Sequence, residues 1–226
     1  MIDFTPFLLS FKLAFLVTLI LLIVGIPFAY FLANTKSKIK PVLESITALP
    51  IVLPPSVLGF YLLIVLSPNS LIGKFFYDLF DIKLVFTFPG LVIASCLYSF
   101  PFMIQPLQAG FENINKSIIE ASYLCGKGKI ITLFRVILPN IKSSLLTAII
   151  ITFAHTIGEF GVVLMVGGSI PGKTEVASVA IYDYVETMDY KSAHIYSAIM
   201  LLISFLVLFF VYFINSRNKR RLNDIY

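Results

Sequence analysis

Five stretches of about twenty mostly apolar residues constrain this chain more than any other feature: Phe7–Leu32, Ile46–Leu66, Val85–Gln108, Leu145–Val166 and His194–Ile214. Crossing roughly 30 Å of hydrocarbon at ~1.5 Å per residue takes about 20 such residues in a helix. Only 13% of the 226 residues are charged and 58% are hydrophobic, against about 25% charged in a typical soluble domain. That apolar excess has no place in one water-soluble core, and it also excludes a disordered chain. Cys96 and Cys125 stand far apart, which provides neither a disulfide framework nor a metal cluster. The expected fold is an all-α polytopic membrane protein with five transmembrane helices. Its membrane domain occupies residues 7–215, and a basic tail occupies 216–226. The first stretch reads as a retained span, because Met1-Ile2-Asp3 carries no positive charge and the apolar run is too long for a signal peptide.

Lysine and arginine set the orientation. Taking the connections alternately, 12 of the 17 basic residues fall on one side and 5 on the other. The rich side holds Lys36, Lys38, Lys40, the loop lysines and Arg135 of 109–144, and the Arg217–Arg221 cluster. It is expected to be cytoplasmic, with the N-terminus outside and the C-terminus inside. The net charge of +5 then reports topology and lipid contact, and no nucleic-acid partner is needed.

Prolines are expected to break several spans: Pro27 in the first, Pro50, Pro54 and Pro55 in the second, and Pro89, Pro101 and Pro106 in the third. Backbone freed at membrane depth is tolerated where protein or a wet cavity re-satisfies it. The stretch Leu49–Ser56 is therefore expected to face other helices or a cavity in preference to lipid, with Pro54, Pro55 and Ser56 as pore or gate candidates. In the fourth span Gly158-Glu159-Phe160-Gly161 places a carboxylate in the bilayer, and an intramembrane ionisable group is a functional candidate by default. His155 and Thr156 lie within one turn of Glu159, with His155 expected on the same helical face, and Gly158 and Gly161 are expected to admit a close neighbour. His155 and His194 do not suit a haem. His194 opens its span at the outer surface and His155 lies some 11 residues, or roughly 16 Å, below that level.

Gly167-Gly168-Ser169-Ile170-Pro171-Gly172-Lys173-Thr174 matches a phosphate-binding loop letter for letter. The match is rejected on three grounds. It falls on the external side, it follows the end of a span where a strand is required, and no second strand ending in aspartate follows to hold magnesium. Thr174–Met188 reads instead as a short amphipathic surface helix. It belongs to an acidic external rim with Asp78, Asp81, Glu175, Asp183, Glu186 and Asp189.

The 109–144 connection is patterned. Ser117 and Glu120 are spaced as a capping box for a helix Ile118–Cys125, and Gly126 suits a left-handed cap at its end. A second helical stretch, Lys129–Ile137, is expected to stop before Leu138-Pro139. Glu120-Ala121-Ser122, three residues, Gly126, nine residues, then Val136-Ile137-Leu138-Pro139 resembles the EAA loop of type I ABC importer permeases. The departures are Ser122 for alanine and Val136 for isoleucine. The segment Leu49–Tyr61 and Gly158-Glu159-Phe160-Gly161 are similar to the molybdate permeases of that family, and Ile170–Val176 to its molybdate, tungstate and sulfate group.

The resemblance implies a type I ABC importer transmembrane fold working as a pair with a second copy of itself. It further implies two cytoplasmic ABC ATPase subunits, an external substrate-binding protein and a prokaryotic plasma-membrane location. On that analogy Glu120, Ala121, Gly126, Leu138 and Pro139 belong to a coupling loop, and the cargo is an oxyanion, molybdate first. The chain would then be a transport subunit with no catalytic residue and no cofactor, ATP being used by its partner. The competing readings are tungstate or sulfate as cargo, a proton-coupled secondary transporter using Glu159, and a haem-bearing redox subunit.

Overall fold

In a computed structural model the backbone is described for residues 3–223 and side chains for residues 3–209. The expected tail 216–226 and its Arg217–Arg221 anchor lie outside the described side chains. Helices account for all regular structure among the described residues. In chain order they are α1 Thr5–Asn34, α2 Lys40–Val52, α3 Pro55–Leu66, α4 Leu71–Phe80, α5 Phe88–Glu112 and α6 Lys116–Leu124. Next come α7 Lys129–Thr132, a π turn Leu133–Ile137, α8 Leu138–Asn140, α9 Lys142–Ile157, α10 Gly161–Gly167, α11 Ala177–Glu186 and α12 Tyr190–Asn223.

Three helices, α1, α5 and the described part of α12, are each long and apolar enough to cross a membrane, and the number reaches at most five if the bent pairs 40–66 and 129–157 are each taken as one span. α1 and α5 form the centre. Leu13, Val17 and Leu21 of α1 pack with Leu91, Ile104 and Leu107 of α5 and with Ala148 of α9. The other side of α1 leaves Leu8, Phe15 and Ile23 exposed by 62 to 68%. Water would penalise such a face, whereas lipid tails accept it without cost.

The prolines act more selectively than expected. α1 continues through Pro27, α2 through Pro50, and α5 through Pro101 and Pro106 after starting beside Pro89. A single proline removes one amide bond, and side packing along a buried helix offsets that loss. Pro54 and Pro55 together have a different effect. Each proline pushes the residue before it out of the helical region, so Leu53 and Pro54 both turn extended, at ψ 135° and 136°. α2 ends there, and α3 restarts with Pro55 in its first turn. The second expected span is therefore two helices meeting at 110°.

The fourth expected span is also divided. α9 stops at Ile157, Gly158-Glu159-Phe160 is irregular, and α10 begins at Gly161. On its other side α9 meets the 129–140 helical segment at 79°. α4 was not foreseen. Ser70 caps it by accepting the Gly73 N–H at 2.9 Å, and Asp81 closes it in the left-handed region at φ 53°.

Candidate functional site

Two regions collect the residues singled out by sequence. The first is the protrusion between α5 and α9. Its helix α6 begins two residues earlier than the Ser117 and Glu120 spacing suggested, because Asn115 is the cap: its side chain accepts the Ser117 N–H at 3.0 Å. The far end has the expected glycine. Gly126 sits at φ +74°, its N–H donates to Tyr123 O and the Lys127 N–H donates to Ser122 O. That pair of bonds is a Schellman closure, which satisfies carbonyls a helix end leaves open.

The following helical segment does not stop before Leu138-Pro139 but runs on to Asn140. The π turn at Leu133–Ile137 accounts for this. It shifts the hydrogen-bond pattern by one residue ahead of Pro139, and the Leu138 N–H reaches back to Leu133 O. Ser122, the departure from the EAA pattern, is buried, and its hydroxyl lies 2.9 Å from that of buried Thr132. Ile137 and Ile141 are buried in the main core, with Ile119, Leu133 and Leu138 packed against it. The protrusion is thus a rigid extension of the bundle.

Its outer surface is unusual for a water-facing loop. Leu124, Ile130 and Phe134 are exposed by 90%, 73% and 61%, among exposed Lys116, Lys127, Lys129 and Arg135. Glu120 and Ala121 are also exposed, Leu138 is half-buried and Pro139 is exposed. A concentration of large apolar side chains ringed by cations is the kind of surface that meets a protein partner or a membrane.

The second region surrounds the two helix breaks. A Cβ on Gly161 would lie 2.7 Å from Pro55 Cβ, and one on Gly59 would lie 2.8 Å from Met165 Cβ, so α3 presses directly on α10. Gly158 plays no such part, since a Cβ there meets only its own helix carbonyls at 3.8 Å. Glu159 is buried beyond the end of α9 rather than on a helical face with His155. Among the described residues, neither of its carboxyl oxygens nor the buried Ser95 hydroxyl makes a hydrogen bond.

His155 is engaged elsewhere. Its Nδ1 lies 3.1 Å from Ser99 Oγ, which is 2.9 Å from Thr156 Oγ1, and its ring stacks on Phe102 at 3.9 Å between centroids. Ser56 is exposed. The inside of the α2–α3 bend is an apolar cleft of about 470 Å³ lined by Leu49, Pro50, Leu53 and Leu58, together with Phe28 and Phe100. The cluster expected around the breaks is therefore two neighbourhoods, Pro55 with the Gly161 turn and His155 with Thr156 and Ser99.

The phosphate-loop look-alike is closed on itself. Thr174 is fully buried, its hydroxyl donating to Gly167 O at 2.7 Å and accepting the Ile170 N–H at 3.2 Å. No helix begins at Lys173-Thr174; α11 starts at Ala177. The hydroxyl that would hold magnesium is used as a staple. Lys12, near the same end of the bundle, lies 4.8 Å from the centroid of the Phe88 ring. Among the described residues no group of three or more His, Cys, Asp or Glu side chains is arranged to hold a metal.

Sequence reasoning missed Lys40, Glu44, Gln108 and Glu112, which meet between α2 and α5. Lys40 and Glu112 are 72 positions apart, and a single sequence holds no signal of such a pairing.

Comparison with known proteins agrees with this architecture. Residues 25–223 match the family model described as binding-protein-dependent transport system inner membrane component. The chain is 48% identical to the molybdenum transport system permease protein ModB of Azotobacter vinelandii, over 93% of both chains. It is 34% identical to a probable sulfate transport system permease protein cysT of Helicosporidium sp. subsp. Simulium jonesii, over 92% of this chain and 77% of that one. A bacterial ABC transporter involved in the import of alginate has the same fold, with a TM-score of 0.72 at 16% identity over 94% of this chain and 79% of that one.

Proposed function

This chain belongs to the family of binding-protein-dependent transport system inner membrane components, multi-pass proteins of the plasma membrane, and we propose that it is the permease subunit of an ATP-driven molybdate importer. Two copies form the pore, an external binding protein delivers the anion, and two cytoplasmic ATPase subunits grip the α6–α8 protrusion. The N-terminus is outside and the C-terminus inside. Sulfate and tungstate share the charge and shape of molybdate and are the nearest competitors for the path.

One observation carries this reading: the rigid, capped protrusion exposes Leu124, Ile130 and Phe134 within a basic surround. A knob of that kind transmits force only if something holds it. Closure of the ATPase pair would move α6, and through the packed Ile137 and Ile141 it would rock the spans. Glu120, Ala121, Gly126, Leu138 and Pro139 shape or flank that grip.

Pro54, Pro55, Ser56, His155, Thr156 and Glu159 are placed along the path by this reading. Pro55 against Gly161 joins the two helix breaks, so a shift of α10 carries α3 with it. Among the described residues this path meets no strong cationic trap, and Lys12 is engaged with Phe88. Passage needs sites weak enough to release the ion, so anion selectivity belongs to the binding protein.

The test is reconstitution of the chain with its ATPase and binding protein in sealed vesicles. Molybdate accumulation should require ATP and persist when an uncoupler is added at constant ATP. Accumulation driven by a proton gradient without ATP would overturn the reading in favour of a secondary transporter using Glu159.

A further inference from the structure

The α2–α3 pair docks by two different kinds of contact. α3 is fixed to α10 by direct glycine contacts at Gly59 and Gly161. α2 fully buries only Thr47; its first turns meet the last turns of α5 through Leu43, packed against the main core, and through a polar cluster. Lys40 Nζ donates to Glu112 Oε1 at 2.8 Å and lies 3.7 Å from Glu44 Oε1. Gln108 Nε2 donates to Glu44 Oε1 at 2.6 Å and to Glu112 Oε1 at 3.0 Å. One cation and one amide thus hold two carboxylates across the seam.

The side chains of Lys40, Glu44 and Glu112 remain 26 to 40% exposed, beside an open cleft of about 310 Å³ lined by Glu44, Gln105, Gln108 and Glu112. Water therefore reaches the ions, and an exposed ion pair is weak and reversible. Its position gives that weakness a use. Only Asn113, Ile114 and Asn115 separate Glu112 from the start of α6, so displacement of α6 acts on Glu112 almost directly.

We propose that Lys40, Glu44, Gln108 and Glu112 form a releasable clasp that registers α2 against α5 and passes the movement of α6 to one half of the bent span. Lys40 and Glu112 are positioning residues: they act on the path through α2 and touch no cargo. When α6 moves, the clasp opens and α2 swings about the Leu53-Pro54 break while α3 stays on α10. The inference rests on the coupling role proposed above for the protrusion.

The experiment uses the complete transporter in vesicles and reads molybdate moved per ATP hydrolysed. Lys40→Glu and Glu112→Lys should each lower that ratio by roughly threefold, the scale an exposed pair supports. The double variant again places one lysine among two glutamates, and it should recover at least about half of the unsubstituted ratio. Should charge reversal reduce the amount of folded protein, Lys40→Gln serves as the milder variant. Raised salt on the ATPase side should then lower the ratio of the unsubstituted protein and leave that of Lys40→Gln unchanged. Single variants with the normal ratio, or a double variant as impaired as the singles, would overturn the clasp alone. Absence of ATP-driven uptake in the unsubstituted complex would overturn the clasp together with the function on which it rests.

Discussion

The hydroxyl of Ser122 lies 2.9 Å from that of Thr132, and both residues are buried. This bond ties α6 to α7 at the one EAA position where the chain departs from alanine. Ser122→Ala would leave the Thr132 hydroxyl buried without a partner, a loss on the order of 1–3 kcal/mol. Replacing both, as Ser122→Ala with Thr132→Val, removes donor and acceptor together and should cost less than the single change. Thermal unfolding of the detergent-solubilised protein checks the order. A double variant less stable than Ser122→Ala would show that the hydroxyl pair is not what joins the helices.

Gly126 is required for its backbone and not for its size. At φ +74° it stands where other L-residues are strained, yet a Cβ there meets nothing within 4 Å. Gly126→Val should therefore cost about 1–2 kcal/mol through backbone strain. Gly126→Asn, a residue that enters the left-handed region more readily, should cost less. Because the strain falls on the Schellman closure, stimulation of the partner ATPase should follow the same order, glycine above asparagine above valine. Equal stimulation by all three proteins would separate the closure from coupling.

How much of this was legible in the sequence depends on the range of the interaction involved. The spans follow from runs of apolar residues, and the Pro54-Pro55 break follows from local sterics that two successive prolines impose together. Pro27, Pro101 and Pro106 misled because their local cost is offset by packing that a sequence does not display. In the protrusion, the Ser117 and Glu120 spacing pointed to one cap, and Asn115 took the role instead. The helix starts at Lys116, two residues before the start that the spacing suggested. The Gly126 closure was readable because glycine satisfies a local dihedral demand. The pairing of His155 with Ser99, and that of Lys40 with Glu112, join residues 56 and 72 positions apart and are properties of the fold.

The glycines flanking Glu159 should respond differently to the same methyl group. Gly161→Ala would drive a Cβ to 2.7 Å from Pro55 Cβ, whereas at Gly158 the nearest atoms outside the immediate chain neighbours stand at 3.8 Å. Overpacking of the first kind typically costs about 1–3 kcal/mol. Gly161→Ala should therefore lower both unfolding temperature and transport by separating α3 from α10, with Gly158→Ala close to the unsubstituted protein. Equal losses from both would mean that the glycines serve backbone flexibility and not the α3–α10 contact.

A further prediction concerns pH at the acidic rim. Glu175 is half-buried beside α11, and burial, then repulsion from Asp183 and Asp3, raises its carboxyl above the ordinary carboxylate range. An acid whose folded pKa is raised favours folding most when protonated, and that contribution is lost as pH rises through the folded pKa. At neutral pH the ionised group is therefore a net strain on this end of the bundle. Glu175→Gln removes the strain without changing shape, so the variant should unfold at a higher temperature than the unsubstituted protein at pH 7. The gap should close as pH falls below about 4.3, where the carboxyl is neutral even in the unfolded chain. Unfolding temperatures of the two proteins measured from pH 4 to pH 8 decide the matter. A gap that is constant across that range, or one that widens toward acid, would place the effect of Glu175 in packing and not in its charge.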